Sequence, residues 1–136
     1  MPHPAKAARG KKAERKGRRA ETLCAWLLRC KGYRILARRY RTPAGELDIV
    51  AKRGPVLVFV EIKSRASLAA AAEALSPRQQ ARLARAAEAF LGRRPDLIPA
   101  PTAKNAAMRF DAMLLGRGGF PRHVKDAWRA GFEGVR

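Results

Sequence analysis

The chain has 136 residues, which is enough for one domain with a hydrophobic core and too few for two. It carries 30 lysine and arginine residues against 11 acidic ones, a net charge of +19. Such a field favours polyanionic partners, nucleic acid ahead of anionic membrane. The two cysteines and two histidines lack the spacing of a zinc site, and no apolar run approaches the length of a membrane span. These features predict a cytoplasmic protein with reduced thiols, a nucleic-acid partner and no membrane association.

The amino-terminal part is predicted to be a basic arm followed by a helix. Residues 1–17 combine Pro, Ala, Lys and Arg without an apolar period, which is typical of a disordered arm. One domain is then expected over residues 18–132. Its first element is a helix from Arg18 to Lys31, because apolar residues recur there at helical spacing and Gly32 follows as a stop signal.

Glu21 is the one acid of this predicted helix. It shares a stripe with Cys24 and Leu28, residues that are expected to face the core. Two interpretations remain open at this point. Glu21 forms an ordinary ion pair with Arg18, three residues before it, or it belongs to a functional site.

Three strands are predicted next. Residues 33–41 form a basic strand, and a turn follows at residues 42–45. Two strongly apolar runs, residues 45–51 and 56–65, then flank the turn signal Gly54-Pro55. A hairpin with a two-residue turn at that dipeptide is therefore expected, and it pairs positions whose numbers add up to 109.

Acids and a lysine interrupt the apolar pattern of this hairpin. The predicted register places Asp48 opposite Glu61 and Glu46 opposite Lys63, with Glu61 and Lys63 on one face. Two carboxylates so close repel each other unless a cation or a proton lies between them. Mg²⁺ (or Mn²⁺) suits such oxygen ligands, and a lysine beside it could assist an attacking water. The alternative is a lattice of cross-strand ion pairs, Glu46 to Lys63, without any chemistry.

The second half of the chain reads as a helix and further strands. Residues 67–74 form an ambiguous connection. A helix from Ser76 to Leu91 follows, with Ser76 as its N-cap and Gly92 just past its end. Residues 92–105 are read as a loop, 108–115 as a strand in which Asp111 pairs with an arginine, and 120–132 as a short strand with a helical turn. Glutamines 79 and 80 begin the second helix, either solvated or facing the acidic hairpin.

With these elements in place, the chain resembles a known family, the YraN-like uncharacterised bacterial proteins. The resemblance covers about residues 17–132 and rests on six segments in the same order. These are Gly17–Glu21, Gly32–Leu36, Gly45–Ala51, Val58–Arg65, Arg78–Leu83 and Arg109–Asp111. That family is similar to the PD-(D/E)xK restriction-endonuclease-like proteins, close to archaeal Holliday-junction resolvases. The implied fold is α/β, a mixed sheet flanked by helices in the order α-β-β-β-α-β.

The resemblance also implies roles for individual residues. Asp48 and Glu61 would be metal ligands, and Lys63 the catalytic lysine of a Glu-x-Lys element. Glu21 would be an additional acid on the first helix, and Gln79 the polar residue on the second. Leu47 stands where the superfamily name has proline, a departure that leaves Asp48 in place.

The leading functional hypothesis is a metal-dependent endonuclease that hydrolyses DNA in preference to RNA, with structured or branched DNA as a candidate substrate. A homodimer is compatible with the likeness to resolvases. Two other readings stay open: an accessory protein that binds nucleic acid with an idle nuclease site, and a basic assembly protein that does not bind nucleic acid. The residues expected to hold phosphates are Arg18, Arg19, Arg41, Arg65, Arg78 and Arg82.

Overall fold

Five strands form one mixed sheet in the order β1-β2-β3-β4-β5. The computed structural model describes residues 4–98 and 107–129, with the side chains of residues 4–16 excluded. The neighbouring strands are antiparallel, except that β3 and β4 are parallel. The elements in chain order are α1 Pro4–Cys30, β1 Arg34–Thr42, β2 Gly45–Arg53, β3 Val56–Ser64, α2 Leu68–Glu73, α3 Pro77–Arg93, a 3-10 turn Pro95–Leu97, β4 Ala107–Leu115 and β5 Arg122–Trp128.

Helices cover both faces of the sheet, because side chains alternate between the faces of each strand. On one face, Leu57 and Phe59 of β3 pack in a buried cluster with Leu83 and Phe90 of α3. The opposite face packs against α1 through Cys24, Leu28, Ile49, Val58, Val60 and Met113. Because α2 and α3 lie in the crossover between β3 and β4, those two strands run parallel. The predicted α/β class, with a mixed sheet flanked by helices, is confirmed and is consistent with a nuclease-like fold.

The first helix is longer at its amino end than predicted. Its backbone is helical from Pro4, whereas Arg18 was the expected first residue and a disordered arm was expected before it. Ala, Lys and Arg are good helix formers, so an arm rich in them can extend the helix without an apolar stripe. The carboxyl end lies close to the prediction: the helix ends at Cys30, and Gly32 adopts φ +90°. The Tyr33 amide donates to the Leu28 carbonyl at 2.9 Å, which closes a Schellman motif.

The second predicted helix begins and ends slightly differently. Ser76 caps it as expected, since its hydroxyl accepts from the Gln79 amide at 3.2 Å. The helix continues through Gly92 to Arg93, so Gly92 is not its stop. The ambiguous segment before it contains the short α2, and the predicted strand after residue 120 is β5. The expected terminal turn, and most of the loop before β4, lie outside the described residues.

No helix among the described residues is both long enough and apolar enough to cross a membrane. Both cysteines are free thiols, Cys24 buried and Cys30 exposed.

Candidate active site

The hairpin of β2 and β3 has the predicted register up to one point. Arg53 pairs with Val56 across the Gly54-Pro55 turn, and the ladder continues to Ile49 and Val60. Beyond that pair, the Asp48 carboxylate accepts a hydrogen bond from the Ile62 amide, with 2.8 Å between Oδ2 and N. The Asp48 side chain thus takes the place of a backbone carbonyl in the next hydrogen bond between the two strands. The Asp48 carboxyl group therefore lies against the β3 backbone next to Glu61, as the sequence predicted.

Glu61 is a buried acid with an incomplete set of partners. Only 5% of its surface is exposed. Its Oε1 lies 3.3 Å from Lys63 Nζ, whereas its Oε2 is buried and has no hydrogen-bond partner among the described residues. Burial raises the pKa of Glu61 to about 8, and the negative charge of Asp48 adds to the effect while Lys63 opposes it. Without a cation, Glu61 is therefore a protonated acid at neutral pH.

Asp48 shares this environment but is only half-buried. Burial raises its pKa, against the hydrogen bonds from the Ile62 amide and from Glu61 and the charge of Lys63. The pKa values of both carboxyl groups are raised, so the pair holds a proton more tightly than a solvated carboxyl group does. A metal cation could therefore replace this proton between the two carboxyl groups.

Glu46 does not face Lys63, contrary to the predicted pairing. Its carboxylate lies 3.8 Å from Arg39 and 3.7 Å from Arg41, both on β1. The described β2–β3 ladder ends at Ile49 and Val60, so Glu46 is paired with β1 instead, opposite Arg41. The alternative interpretation, an ion-pair lattice between Glu46 and Lys63, is therefore wrong, and Lys63 contacts Glu61 instead.

Glu21 is buried on α1 and is held by a residue that sequence reasoning missed. Arg38 Nε donates to Glu21 Oε1 at 2.8 Å, and Nη2 donates to the other oxygen. The proposed partner Arg18 is exposed instead. Arg38 faces α1 because β1 contains a bulge between Ile35 and Ala37, which shifts the alternation of the strand. Alternating residues of β1 do not reveal such a bulge, so the sequence carried no signal for this pair.

Cys24 connects Glu21 with the hairpin. Its thiol is fully buried, and burial raises its pKa to about 12, with the negative charges of Asp48 and then Glu21 contributing. A thiol with so high a pKa is neutral and unreactive. Cys24 packs in one buried cluster with Ile49 of β2, so the face of α1 that carries Cys24 and Glu21 lies against the hairpin.

Gln79 is placed next to Arg82 rather than against the acids. Its side-chain oxygen accepts from Arg82 Nε at 3.2 Å, and Arg82 in turn covers Gly45 at the start of β2. Gln80 donates to the Leu75 carbonyl at 2.9 Å, so it braces the start of α3. The contacts described for Gln79 do not include either hairpin carboxylate. Its catalytic role stays a prediction that these contacts do not support.

The arginines that were expected to hold phosphates are mostly available. Arg82 is half-buried. Arg65 directly follows β3, and its guanidinium donates to the Ser64 carbonyl at 2.8 Å. Arg41 has 91% of its side chain exposed. The remaining members of the set are also exposed, namely Arg18, Arg19 and Arg78.

Asp111 shows what a structural buried acid looks like in this fold. It is fully buried, and Arg109 donates to both of its oxygens at 2.7 and 2.8 Å, which confirms the predicted pair. His123 and the Asp126 amide complete the shell at 2.7 and 2.9 Å. Burial alone would raise the pKa of Asp111, but the hydrogen bonds from His123 and Arg109 hold it below its usual value. Glu61 is the opposite case, because its pKa is raised and one of its buried oxygens has no partner among the described residues.

The donor set suits a hard divalent cation that keeps water ligands. Within residues 4–98 and 107–129, no three His, Cys, Asp or Glu side chains are grouped closely enough to hold a metal ion by themselves. Two carboxylates do meet, and one offers an unpartnered oxygen. Mg²⁺ is usually held by one or two carboxylates, with water and substrate phosphate as the other ligands. Asp48 and Glu61 therefore fit Mg²⁺ or Mn²⁺ better than zinc, whose sites use more protein ligands.

Comparison with known proteins places the chain in one group. The model of uncharacterised protein family UPF0102 matches residues 20–115. A UPF0102 protein of Parvibaculum lavamentivorans is 52% identical over 122 residues, covering 90% of this chain and 87% of the relative. One from Azorhizobium caulinodans is 50% identical over 129 residues, with 93% and 94% covered. One from Paramagnetospirillum magneticum is 48% identical over 121 residues, with 86% and 89% covered.

Proposed function

This chain belongs to the uncharacterised protein family UPF0102, and we propose, from the geometry of the site, that the protein is a metal-dependent endonuclease acting on DNA. The observation that carries the proposal is the buried, unpartnered Oε2 of Glu61 beside Asp48. If position 61 served only the stability of the core, an apolar residue there would avoid the desolvation penalty of a buried carboxyl group. The cost is explained if the acid pair exists to bind a cation.

The two acids would hold the cation, and each is prepared for this differently. Asp48 is fixed by the Ile62 amide, which leaves its second oxygen available. Glu61 must lose its proton, and its raised pKa means that a cation competes with that proton. When bound, the metal supplies Lewis acidity toward a phosphate oxygen and lowers the pKa of a bound water.

Lys63 is positioned to act on the same atoms. It follows Glu61 by two residues on the same strand face, and 15% of its side chain is exposed. Its ammonium group lies 3.3 Å from Glu61 Oε1, so it neutralises that carboxylate as the proton leaves. Lys63 would orient the attacking water, or stabilise the negative charge that builds on the phosphate.

Glu21 has a positioning role in this proposal rather than a catalytic one. Arg38 occupies both oxygens of Glu21, so this ion pair ties α1 to β1. The nucleic acid itself would be held by the exposed arginines, since each phosphate contact releases a counterion from the polymer. The net charge of +19 supports such a polyanionic substrate.

The experiment is a cleavage assay on labelled linear duplex, single strand, flap and four-way junction DNA. Each is tested with Mg²⁺, with Mn²⁺ and with chelator. Asp48→Asn, Glu61→Gln and Lys63→Ala should each abolish metal-dependent cutting, whereas Glu88→Gln, an exposed acid on α3, should cut like the parent. Nuclease activity that survives in Glu61→Gln is a contaminant or another mechanism. If the parent binds every substrate in a salt-dependent way but cuts none, the protein is a binding accessory with an idle site.

A further inference from the structure

An exposed tryptophan lies on the outer face of α1. Trp26 is 60% exposed and Leu23 is 37% exposed, although both residue types are usually buried. They line an open surface groove together with Arg18, Arg19 and Thr22. The guanidinium of Arg29 lies 5.9 Å from the centre of the Trp26 ring. We refer to these six residues as the Trp26 platform.

The charge of the platform decides which partner it fits. Three arginines surround the apolar surface, and all three are exposed. A second copy of this chain, itself at +19, would bring like charges against them. The partner must therefore combine a flat apolar surface with negative charge. An unpaired nucleotide has both, whereas the bases of a duplex hide their faces in the stack.

We propose that the Trp26 platform binds single-stranded nucleic acid, with one base stacked on the Trp26 ring and the neighbouring phosphates on the arginines. This deepens the proposed function, on which it rests, by naming unpaired nucleotides next to the cleavage site as the feature recognised. Base–aromatic stacking combined with a basic groove is the general solution for single strands.

The platform is linked by a hydrogen bond to the Arg38–Glu21 pair. Thr22 Oγ1 accepts a hydrogen bond from Arg38 Nη2 at 3.3 Å, and the same guanidinium holds Glu21. Cys24, one turn along α1 from Glu21, packs in a buried cluster with Ile49, the neighbour of Asp48. Single-strand binding at the platform would therefore hold unpaired nucleotides on the helix that packs against the acidic hairpin, as a flap, a gap or a junction arm would provide.

The test is equilibrium binding in chelator, so that no cleavage takes place. Fluorescence anisotropy is measured with a labelled oligothymidylate and with a duplex of equal length, at physiological salt. Trp26→Ala is expected to weaken single-strand binding by about 5- to 150-fold and duplex binding by less than about twofold. Trp26→Phe should retain more of the affinity than Trp26→Ala. Phe120→Ala, at an aromatic residue that is 77% exposed elsewhere, is the matched control and should change neither.

Three results would overturn the platform. The first is unchanged single-strand binding in Trp26→Ala, and the second is an equal loss of affinity for single strand and duplex in that variant. The third is a difference in oligomeric state between Trp26→Ala and the parent in sedimentation, which would make this surface a protein interface. Each leaves the nuclease proposal standing if the parent still cuts DNA with Mg²⁺. Conversely, if Trp26→Ala loses single-strand affinity but the parent cuts no DNA, the nuclease proposal is refuted and the platform proposal stands.

Discussion

Replacing Glu61 by glutamine is expected to stabilise the metal-free protein, and increasingly so as the pH rises. The folded state raises the pKa of Glu61 from its ordinary 4.5 to about 8. Between these two values the folded protein binds more protons than the unfolded chain, so its free energy of unfolding falls with increasing pH. Glutamine has no such proton to lose, and its amide can donate to Asp48 as the protonated acid does.

The magnitude follows from the size of this pKa change. At about 1.4 kcal/mol per pKa unit, the full difference corresponds to about 5 kcal/mol at alkaline pH. Lys63 stays 3.3 Å from the ionised oxygen, and local rearrangement lets water reach the site, so part of this penalty is relieved. We expect Glu61→Gln to be more stable than the parent by at least about 2 kcal/mol at a pH above 8, with little difference near pH 4.5.

The assay is urea unfolding at a series of pH values in chelator, for the parent, Glu61→Gln and the exposed control Glu88→Gln. The difference between the parent and Glu61→Gln should grow with pH, while Glu88→Gln should follow the parent. Adding Mg²⁺ should stabilise the parent and leave Glu61→Gln unchanged, because only the carboxylate pair binds the ion. If Glu61→Gln is no more stable than the parent at any pH, the buried acid carries no penalty, and the argument for a cation site fails.

Three further changes test other parts of the fold by denaturant unfolding. Asp111→Asn should cost about 3–5 kcal/mol at neutral pH, because it leaves the partly buried Arg109 guanidinium and the buried His123 ring without their carboxylate; the lowered pKa of Asp111 means that the parent loses this stability as the pH falls below about 4. An equal loss at pH 3 and pH 7 would contradict this. Arg38→Met should cost less, about 1–3 kcal/mol, because the Arg38 side chain is 36% exposed and solvent screens the pair. Adding Glu21→Gln should recover most of this loss; additive losses would show that the two residues are not coupled. Gly45→Ala should cost about 1 kcal/mol or more, because residue 45 has φ +135° and a side chain there would collide with Arg82. A neutral effect would show that Arg82 moves freely.

The order of elements and the hairpin register were predictable from the sequence, because both depend on local signals. Gly54-Pro55 sets a two-residue turn, and the apolar runs on either side of it leave one register that buries them. Ser76 and Gly32 likewise act through their own backbone neighbours. The limits of helices were less certain where such signals were weak, as at Pro4 and Gly92, since propensity alone decides those ends.

The position of the acids within the hairpin was also a sequence property, but their chemical states were not. Alternation and register place Asp48 beside Glu61, and the tertiary structure adds what burial does to them. The partner of Glu21 depends on a bulge in β1, and the partner of Glu46 depends on where the β2–β3 ladder ends. Both are contacts between elements far apart in the chain, and local patterns do not contain such information.

The amino-acid sequence by itself determined the family and the acidic hairpin, because both are contained in short segments of the chain, and the family resemblance in turn implied the mixed sheet. Only the tertiary structure decided which buried acid is satisfied and which is not. Asp111 and Glu61 look alike in sequence, as single acids in apolar strands. The Asp111 carboxylate accepts four hydrogen bonds, whereas Glu61 keeps a buried oxygen without a partner among the described residues. Because desolvation of an unpaired polar group is unfavourable, the two acids differ by several kcal/mol in the free energy of burial.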